Sequence, residues 1–214
     1  FGIQELMARV RALLRGQGAG EESPAAFDDG HLRFDFARRA VTLDGEPLCP
    51  APAGSDDPHD MSPQFRAWLG GLLAHSRELS LCFAPFVNSY KRYWDAGQFA
   101  PSRINWGLDN KTCTVRLSAV GRLEYKLPDA AVNPYLSHAA ILAACEDGMK
   151  NTTDPGPPTQ GSSYDAPQDE RFPALPLTLG EAIGAFRADE VLNQAFGPVL
   201  SKLLVDFHAD EWAR

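Results

Sequence analysis

Residues 62–75, SPQFRAWLGGLLAH, set two adjacent glycines, Gly70 and Gly71, in the middle of an apolar helical repeat. Ser62 suits a helix N-cap and Pro63 the first helical position. Phe65, Trp68, Leu69, Leu72 and Leu73 recur at three- and four-residue steps, which predicts one buried face. Each mid-helix glycine forfeits about 1 kcal/mol of helix propensity. Close packing against a second backbone, where a side chain would not fit, would explain that loss. The pattern therefore predicts a helix pressed against another element.

The segments after this helix set the fold class. Residues 80–86 form a short apolar run, and the Gly, Pro and Asn content of residues 88–103 reads as a loop. Residues 104–107, 112–117 and 122–127 read as three strands joined by short turns, which predicts an antiparallel sheet. Asn133 and Pro134 are a cap-and-first-residue pair for a helix over 135–150, with Leu136, Ala139, Ala140, Ala143 and Met149 on its apolar face. Residues 151–176 are proline-rich and aperiodic, a long irregular connection. Residues 178–181, TLGE, fit a capping box and open a run of short helices. The expected class is α+β: an antiparallel β-sheet backed by helices.

The front of the chain has another character. Residues 1–16 read as an amphipathic helix, with Ile3, Leu6, Met7, Val10, Leu13 and Leu14 on one stripe. Residues 17–26 read as a linker. Residues 27–50 read as a small β-hairpin segment: HLRFDF alternates Leu32, Phe34 and Phe36 with polar neighbours, and AVTL is closed by an Asp44-Gly45 turn. Residues 51–61, with Pro52, Pro58, Asp56, Asp57 and Asp60, read as the junction to a unit over 62–214.

Charge and composition narrow the function. The hydrophobic share of 44% and charged share of 22% are those of a globular chain. A net charge of −8 disfavours nucleic acid as a partner of the whole surface. No apolar run approaches the ~18 residues of a membrane span, and no secretory signal is visible, so a cytoplasmic location is expected. The chain begins at Phe1 and ends inside a helical pattern, so both ends read as cut. Cys49, Cys82, Cys113 and Cys145 are scattered without metal-ligand spacing and read as reduced, mostly buried thiols.

The densest polar cluster lies between residues 88 and 126. Asn88, Ser89, Lys91 and Arg92 come first; Asn110, Lys111, Arg116, Arg122, Glu124 and Lys126 come after them. Arg122, Glu124 and Lys126 alternate and so share one strand face, which Arg116 joins if the register allows. Several cations with one carboxylate could floor a site for an anionic ligand and a metal, or simply form a solvated face with routine ion pairs. Tyr90, Tyr93, Trp94, Phe99 and Trp106 likewise have two readings, base stacking or core packing.

NSYKR, a loop ending APS, WGLDNKT, RLEYKLPD, NPYL and DGMKN resemble, in order, the C-terminal catalytic part of the glutamine synthetase family, over roughly residues 60–214. The resemblance implies that ATP phosphorylates the γ-carboxylate of glutamate and that ammonia or a small amine then displaces phosphate. It implies two divalent cations, Mg²⁺ or Mn²⁺, and a ring-shaped homo-oligomer with active sites between subunits. By residue, it implies that Arg92 holds the glutamate carboxylate and that Arg116 and Arg122, with Ser89, bind ATP. Glu124 is implied as a metal ligand. Lys126 stands where the family usually has an arginine near glutamate, and Lys111 where it has one near the transferred phosphate. Both keep the charge and lose the planar fork.

Two departures stand out. The family's usual flap glutamate before Ala-Pro is here Phe99, before Ala100 and Pro101. An apolar residue cannot attract ammonium but can pack against an alkyl group, which points to an organic amine. The family's remaining metal carboxylates, Gly-rich turn and catalytic histidine have no counterpart in residues 1–61, so the isolated chain is expected to be inactive. His31 and His59 read as surface residues, and His75, His138 and His208 as packed helix residues. Residues 1–48 resemble the receiver/winged-helix junction of response regulators, which leaves a DNA-binding regulator as a rival reading. A non-catalytic nucleotide-binding module is a third.

Overall fold

A computed structural model describes residues 26–28, 30, 32–35, 40–43, 45–49, 56–94, 100–119, 121–165 and 170–214. The expected helix over 1–16, most of the linker, residues 51–55 of the junction, and Phe99 lie outside the described residues. Strands β1 (Ala26–Asp28), β2 (Leu32–Asp35), β3 (Ala40–Leu43) and β4 (Glu46–Cys49) form an antiparallel sheet in chain order. Gly45, at φ 85°, supplies the left-handed turn between β3 and β4.

Helix α1 spans Pro63–Ala74, with the Ser62 hydroxyl accepting from the Phe65 N–H at 3.1 Å. It buries Phe65, Leu69 and Leu72, with Trp68 and Leu73 packed at the edge. His75 separates it from α2 (Ser76–Phe83), which takes in the start of the apolar run read at 80–86. The segment read as a loop begins with a 3-10 helix, Val87–Tyr93. Tyr90 and Tyr93 lie on one side of it because the 3-10 repeat is three residues, and their buried rings meet edge to face at 6.0 Å.

Helix α3 (Pro134–Asn151) starts where the Asn133 side chain accepts from the N–H groups of Tyr135 and Leu136, at 3.0 and 3.3 Å. Helix α4 (Leu179–Ala188) starts at Thr178, whose hydroxyl accepts from Glu181 N–H at 3.1 Å. The Glu181 carboxylate reaches back to Leu177 N–H at 2.9 Å, one residue before the cap. The C-terminal run is a series of helices, as expected, in which the last two adjoin across a kink. These two make up α5 (Glu190–Ala213), broken at Gly197, where φ is 73° and Pro198 comes next.

The second sheet corrects the expected topology. Strand β5 (Trp106–Leu108) runs parallel to β6 (Val115–Ala119), and only β6 and β7 (Arg122–Tyr125) are antiparallel. The six residues between β5 and β6 do not form a hairpin. Asp109 turns the chain at φ 46°. The Asn110 carboxamide then accepts from the Thr112 N–H and hydroxyl at 3.0 and 2.6 Å, so the chain returns alongside β5. Gly107 makes room, since a Cβ there would lie 2.8 Å from Asn110 Cβ. Asn105 closes the return through Thr114 N–H and Val115 N–H, at 3.2 and 3.0 Å.

One core joins the helices to the β5–β7 sheet, with Phe65, Leu69, Leu79, Phe83, Tyr90, Trp106, Val115, Leu127, Leu179 and Phe186 among its buried members. Cys82, Cys113 and Cys145 are buried free thiols, and burial pushes the Cys82 thiol up to about 12. Among the described residues no helix is long and apolar enough to cross a membrane.

Candidate active site

Strand β7 organises the polar cluster. Its register sets Glu124 opposite Arg116 on β6. Glu124 Oε2 accepts from Arg116 Nη1 at 2.7 Å. The other edge of the guanidinium, Nε and Nη2, is held by one oxygen of Asp109, with the Nε contact at 2.8 Å. Asp109, then Glu124, hold the Arg116 proton above its already high ordinary range. The Arg116 side chain is only 18% exposed, while Glu124 and Asp109 are 48% and 73% exposed. Arg122, two residues before Glu124, is exposed on the same strand face.

Past β7 the pairing continues through Lys126 N–H to Thr114 O at 3.0 Å, so Lys126 keeps the alternation. Its ammonium donates to the Lys111 carbonyl and lies 3.5 Å from the Tyr164 hydroxyl. Burial holds the Lys126 ammonium below its ordinary range. The Lys111 side chain itself is exposed.

The proline-rich connection is fastened to this end of the sheet. Trp106 Nε1 donates to Gly156 O at 3.1 Å, and Thr159 N–H to Trp106 O at 2.8 Å. Asn110 Nδ2 donates to Gly161 O at 2.7 Å, and Asn105 Nδ2 to Ser163 Oγ at 2.8 Å. Ser163 N–H donates to Thr112 Oγ1 at 2.8 Å. These bonds carry Tyr164 to Lys126.

Arg92, in the 3-10 helix, reaches the residue after Lys126. Its Nη2 donates to the Leu127 carbonyl and to the Tyr93 hydroxyl, and its guanidinium carbon lies 4.7 Å from the Tyr93 ring centroid. Arg92 Nε is buried with no hydrogen-bond partner among the described residues. Ser89 is also buried; its hydroxyl accepts from Phe86 N–H at 3.3 Å and so braces the start of the 3-10 helix.

Residues 122–127 thus carry three separate contacts in succession: Glu124 with Arg116 and, through it, Asp109; Lys126 with the Lys111 carbonyl and Tyr164; and Leu127 with Arg92. Tyr90, Tyr93 and Trp106 belong to the core. Trp94 is 58% exposed and donates to Leu177 O at 2.8 Å.

Asp109 and Tyr164 are absent from the sequence-based candidates. Asp109 lies within WGLDNKT but outside the strand alternation, and Tyr164 lies in an aperiodic segment far along the chain, so neither was singled out.

His75 is more than a packed helix residue. Its Nδ1 lies 2.6 Å from Asp189 and its Nε2 lies 3.1 Å from Asp147. The Asp189 hydrogen bond outweighs burial, and with help from Asp147 it raises the His75 proton affinity to about 9. Burial opposes ionisation of Asp189, yet His75 and the Leu192 N–H keep its carboxyl below the ordinary range. His75, Glu78 and Asp189 have ligand atoms within 4.8 Å of one another. Both His75 nitrogens already face carboxylates, so Asp147, His75 and Asp189 read as a charged bridge joining helices. His138 and His208 bond to the carbonyls of Pro134 and Pro85, and the His59 ring meets Trp106 edge to face at 5.6 Å.

Mg²⁺ or Mn²⁺ takes oxygen ligands and approaches octahedral coordination. Glu124, partly exposed and engaged on one oxygen by Arg116, fits as one such ligand. A complete shell needs further oxygens.

Comparison with known proteins shows what the chain is similar to. A family model described as "Glutamine synthetase, catalytic domain" matches residues 41–214. A glutamine synthetase of Rhizobium leguminosarum is 37% identical over 158 residues, which cover 71% of this chain and 36% of that protein. A glutamate–methylamine ligase of Methyloversatilis universalis is 40% identical over 154 residues, or 68% of this chain and 34% of that protein. A GmaS–ADP complex superposes with a TM-score of 0.73 at 37% identity, covering 81% of this chain and 41% of that one. Ligand-free GmaS gives 0.71 at 38% identity, covering 81% and 39%. The chain spans about a third of the length of the curated relatives it matches.

Proposed function

The chain belongs to the glutamine synthetase family through its catalytic domain, and on that premise we propose that it forms the nucleotide- and glutamate-facing part of an ATP-dependent glutamate–amine ligase. The observation that carries the reading is the run of contacts along residues 122–127, where Glu124 on β7 holds Arg116, and the following Lys126 and Leu127 meet the Lys111 backbone carbonyl and the Arg92 guanidinium.

In this reading Arg116 and Arg122 face the phosphates of ATP, and Ser89 also belongs to the ATP-binding residues. Glu124 would hold Mg²⁺ or Mn²⁺, which when bound offsets phosphate charge. Arg92 holds the carboxylate of glutamate, with Lys126 beside it and Lys111 near the transferred phosphoryl group. The γ-carboxylate oxygen attacks the γ-phosphorus and ADP leaves. The amine nitrogen then attacks the acyl carbon, phosphate departs, and the amine gives up one proton. Arginines and lysines fixed before the reaction stabilise the charge that develops on both oxyanions.

The partners are glutamate, ATP and a small amine, in a homo-oligomer whose sites form between subunits. The organic amine is favoured over ammonia by Phe99, which cannot attract ammonium; the relatives include both glutamine synthetases and a glutamate–methylamine ligase. The test is phosphate release from ATP with glutamate and a panel of ammonia, methylamine and ethanolamine, using the longest natural polypeptide that carries this sequence. Release that requires glutamate and an amine supports the reading. Release indifferent to both refutes it.

A further inference from the structure

We infer that Asp109 is a positioning residue for Arg116, fixing one edge of its guanidinium so that the other can meet an anionic phosphate ligand. The inference rests on the proposed nucleotide role of Arg116 and adds a residue that the family resemblance does not supply. A guanidinium offers five N–H donors in one plane. Asp109 Oδ1 takes the Nε–Nη2 edge, and Glu124 takes Nη1. These two carboxylates play different parts. Glu124 sits directly across the strand pair and is the residue that would turn to a divalent cation. Asp109 lies on the return loop, outside the strand pair, and has no such competing task.

Were Glu124 to turn from Arg116 to a divalent cation, Arg116 would lose its Nη1 partner and keep the Asp109 edge. The donors freed in that way would stay oriented by Asp109 and be available to a phosphate oxygen. The loop is built to hold Asp109 there. Its backbone sits at φ 46°, its N–H donates to Leu117 O at 2.9 Å, and the next residue is locked by the Asn110–Thr112 bonds.

The left-handed backbone determines which variants are informative. Asn and Gly both accept that conformation, so they separate the side chain from backbone strain. Asp109→Asn keeps an acceptor oxygen; Asp109→Gly removes it. Two measurements on the full 214-residue chain decide the matter. In nitrogen-15 spectra of arginine side chains, the Arg116 Nε–H should be protected from exchange in wild type and Asp109→Asn and exposed in Asp109→Gly. In Mg²⁺–ADP titration, Asp109→Asn should bind within about threefold of wild type and Asp109→Gly about tenfold more weakly, the equivalent of one charge-assisted contact.

An unchanged Arg116 Nε–H in Asp109→Gly overturns the inference, and so does equal ADP affinity in all three chains. Wild type that binds no ADP counts against the nucleotide reading of Arg116. The exchange measurement still decides whether Asp109 fixes the guanidinium.

Discussion

Gly71 of α1 and Gly148 of α3 meet backbone to backbone. A Cβ on Gly71 would stand 2.7 Å from Gly148 Cα, and one on Gly148 would stand 2.5 Å from Gly71 Cα. Real Cβ atoms essentially never approach so closely, and neither backbone is a flexible side-chain end that can step aside. Gly71→Ala should therefore destabilise the fold by about 2–3 kcal/mol although alanine is the better helix former by about 1 kcal/mol. Gly184, in α4, has nothing within 4 Å of such a Cβ. Gly184→Ala should stabilise by about 0.5–1 kcal/mol. Urea denaturation of both variants measures the contrast, and equal effects would contradict the packing argument.

The His75 bridge makes a pH prediction. Its folded value of about 9 lies above the ordinary 6.5. The stabilisation it gives is fully present below about pH 6.5 and is lost as pH rises through about 9. Melting temperature should fall over that interval in wild type. His75→Gln should flatten the fall and lower stability at pH 7 by about 2–3 kcal/mol, because Asp189, whose side chain is 5% exposed, then keeps a charge without its cation. A wild-type melting temperature constant from about pH 6.5 to about 9.5 would remove the bridge from the stability of the fold.

What could be read from the sequence tracks what is local. The α1 cap, the glycine pair, the Asn133–Pro134 start of α3 and the Thr178 cap rest on neighbouring residues, and the structure has each of them. The Arg122–Glu124–Lys126 alternation is local too, and register then brings Arg116 to Glu124. The parallel β5–β6 pair was not legible. It depends on a left-handed Asp109 and on the fit of Asn110 over Gly107, and short loops between strands ordinarily signal hairpins. Tyr164 and the Asp147–His75–Asp189 bridge were hidden for another reason. Their partners lie 38, 72 and 114 positions apart, and no periodicity spans such distances.

Glu124 and Arg116 separate charge from stability. The pair is too exposed at Glu124 to support the fold much, because solvent screens an exposed ion pair. Glu124→Gln should therefore melt close to wild type. In the polypeptide with ligase activity it should raise the Mg²⁺ or Mn²⁺ concentration for half-maximal turnover at least about tenfold, the loss of one charged oxygen ligand. An unchanged metal requirement would remove Glu124 from the proposed site.

Phe99 supports the choice of amine. Ammonium is a compact, strongly hydrated cation, and a site gains little by presenting it with an apolar ring. A methyl or longer alkyl group on the amine adds apolar surface, worth about 0.8 kcal/mol for each buried CH₂. Phe99→Glu should therefore act in opposite directions on two substrates. It restores a carboxylate that attracts ammonium and removes the surface that would cover an alkyl group. In the longest natural polypeptide carrying this sequence, kcat/KM for ammonia should rise while that for methylamine or ethanolamine falls, so that their ratio moves by about tenfold or more. A general loss of activity would lower both together and leave the ratio in place, so the ratio separates amine selection from damage to the fold. If it stays constant while activity persists, Phe99 does not select the amine.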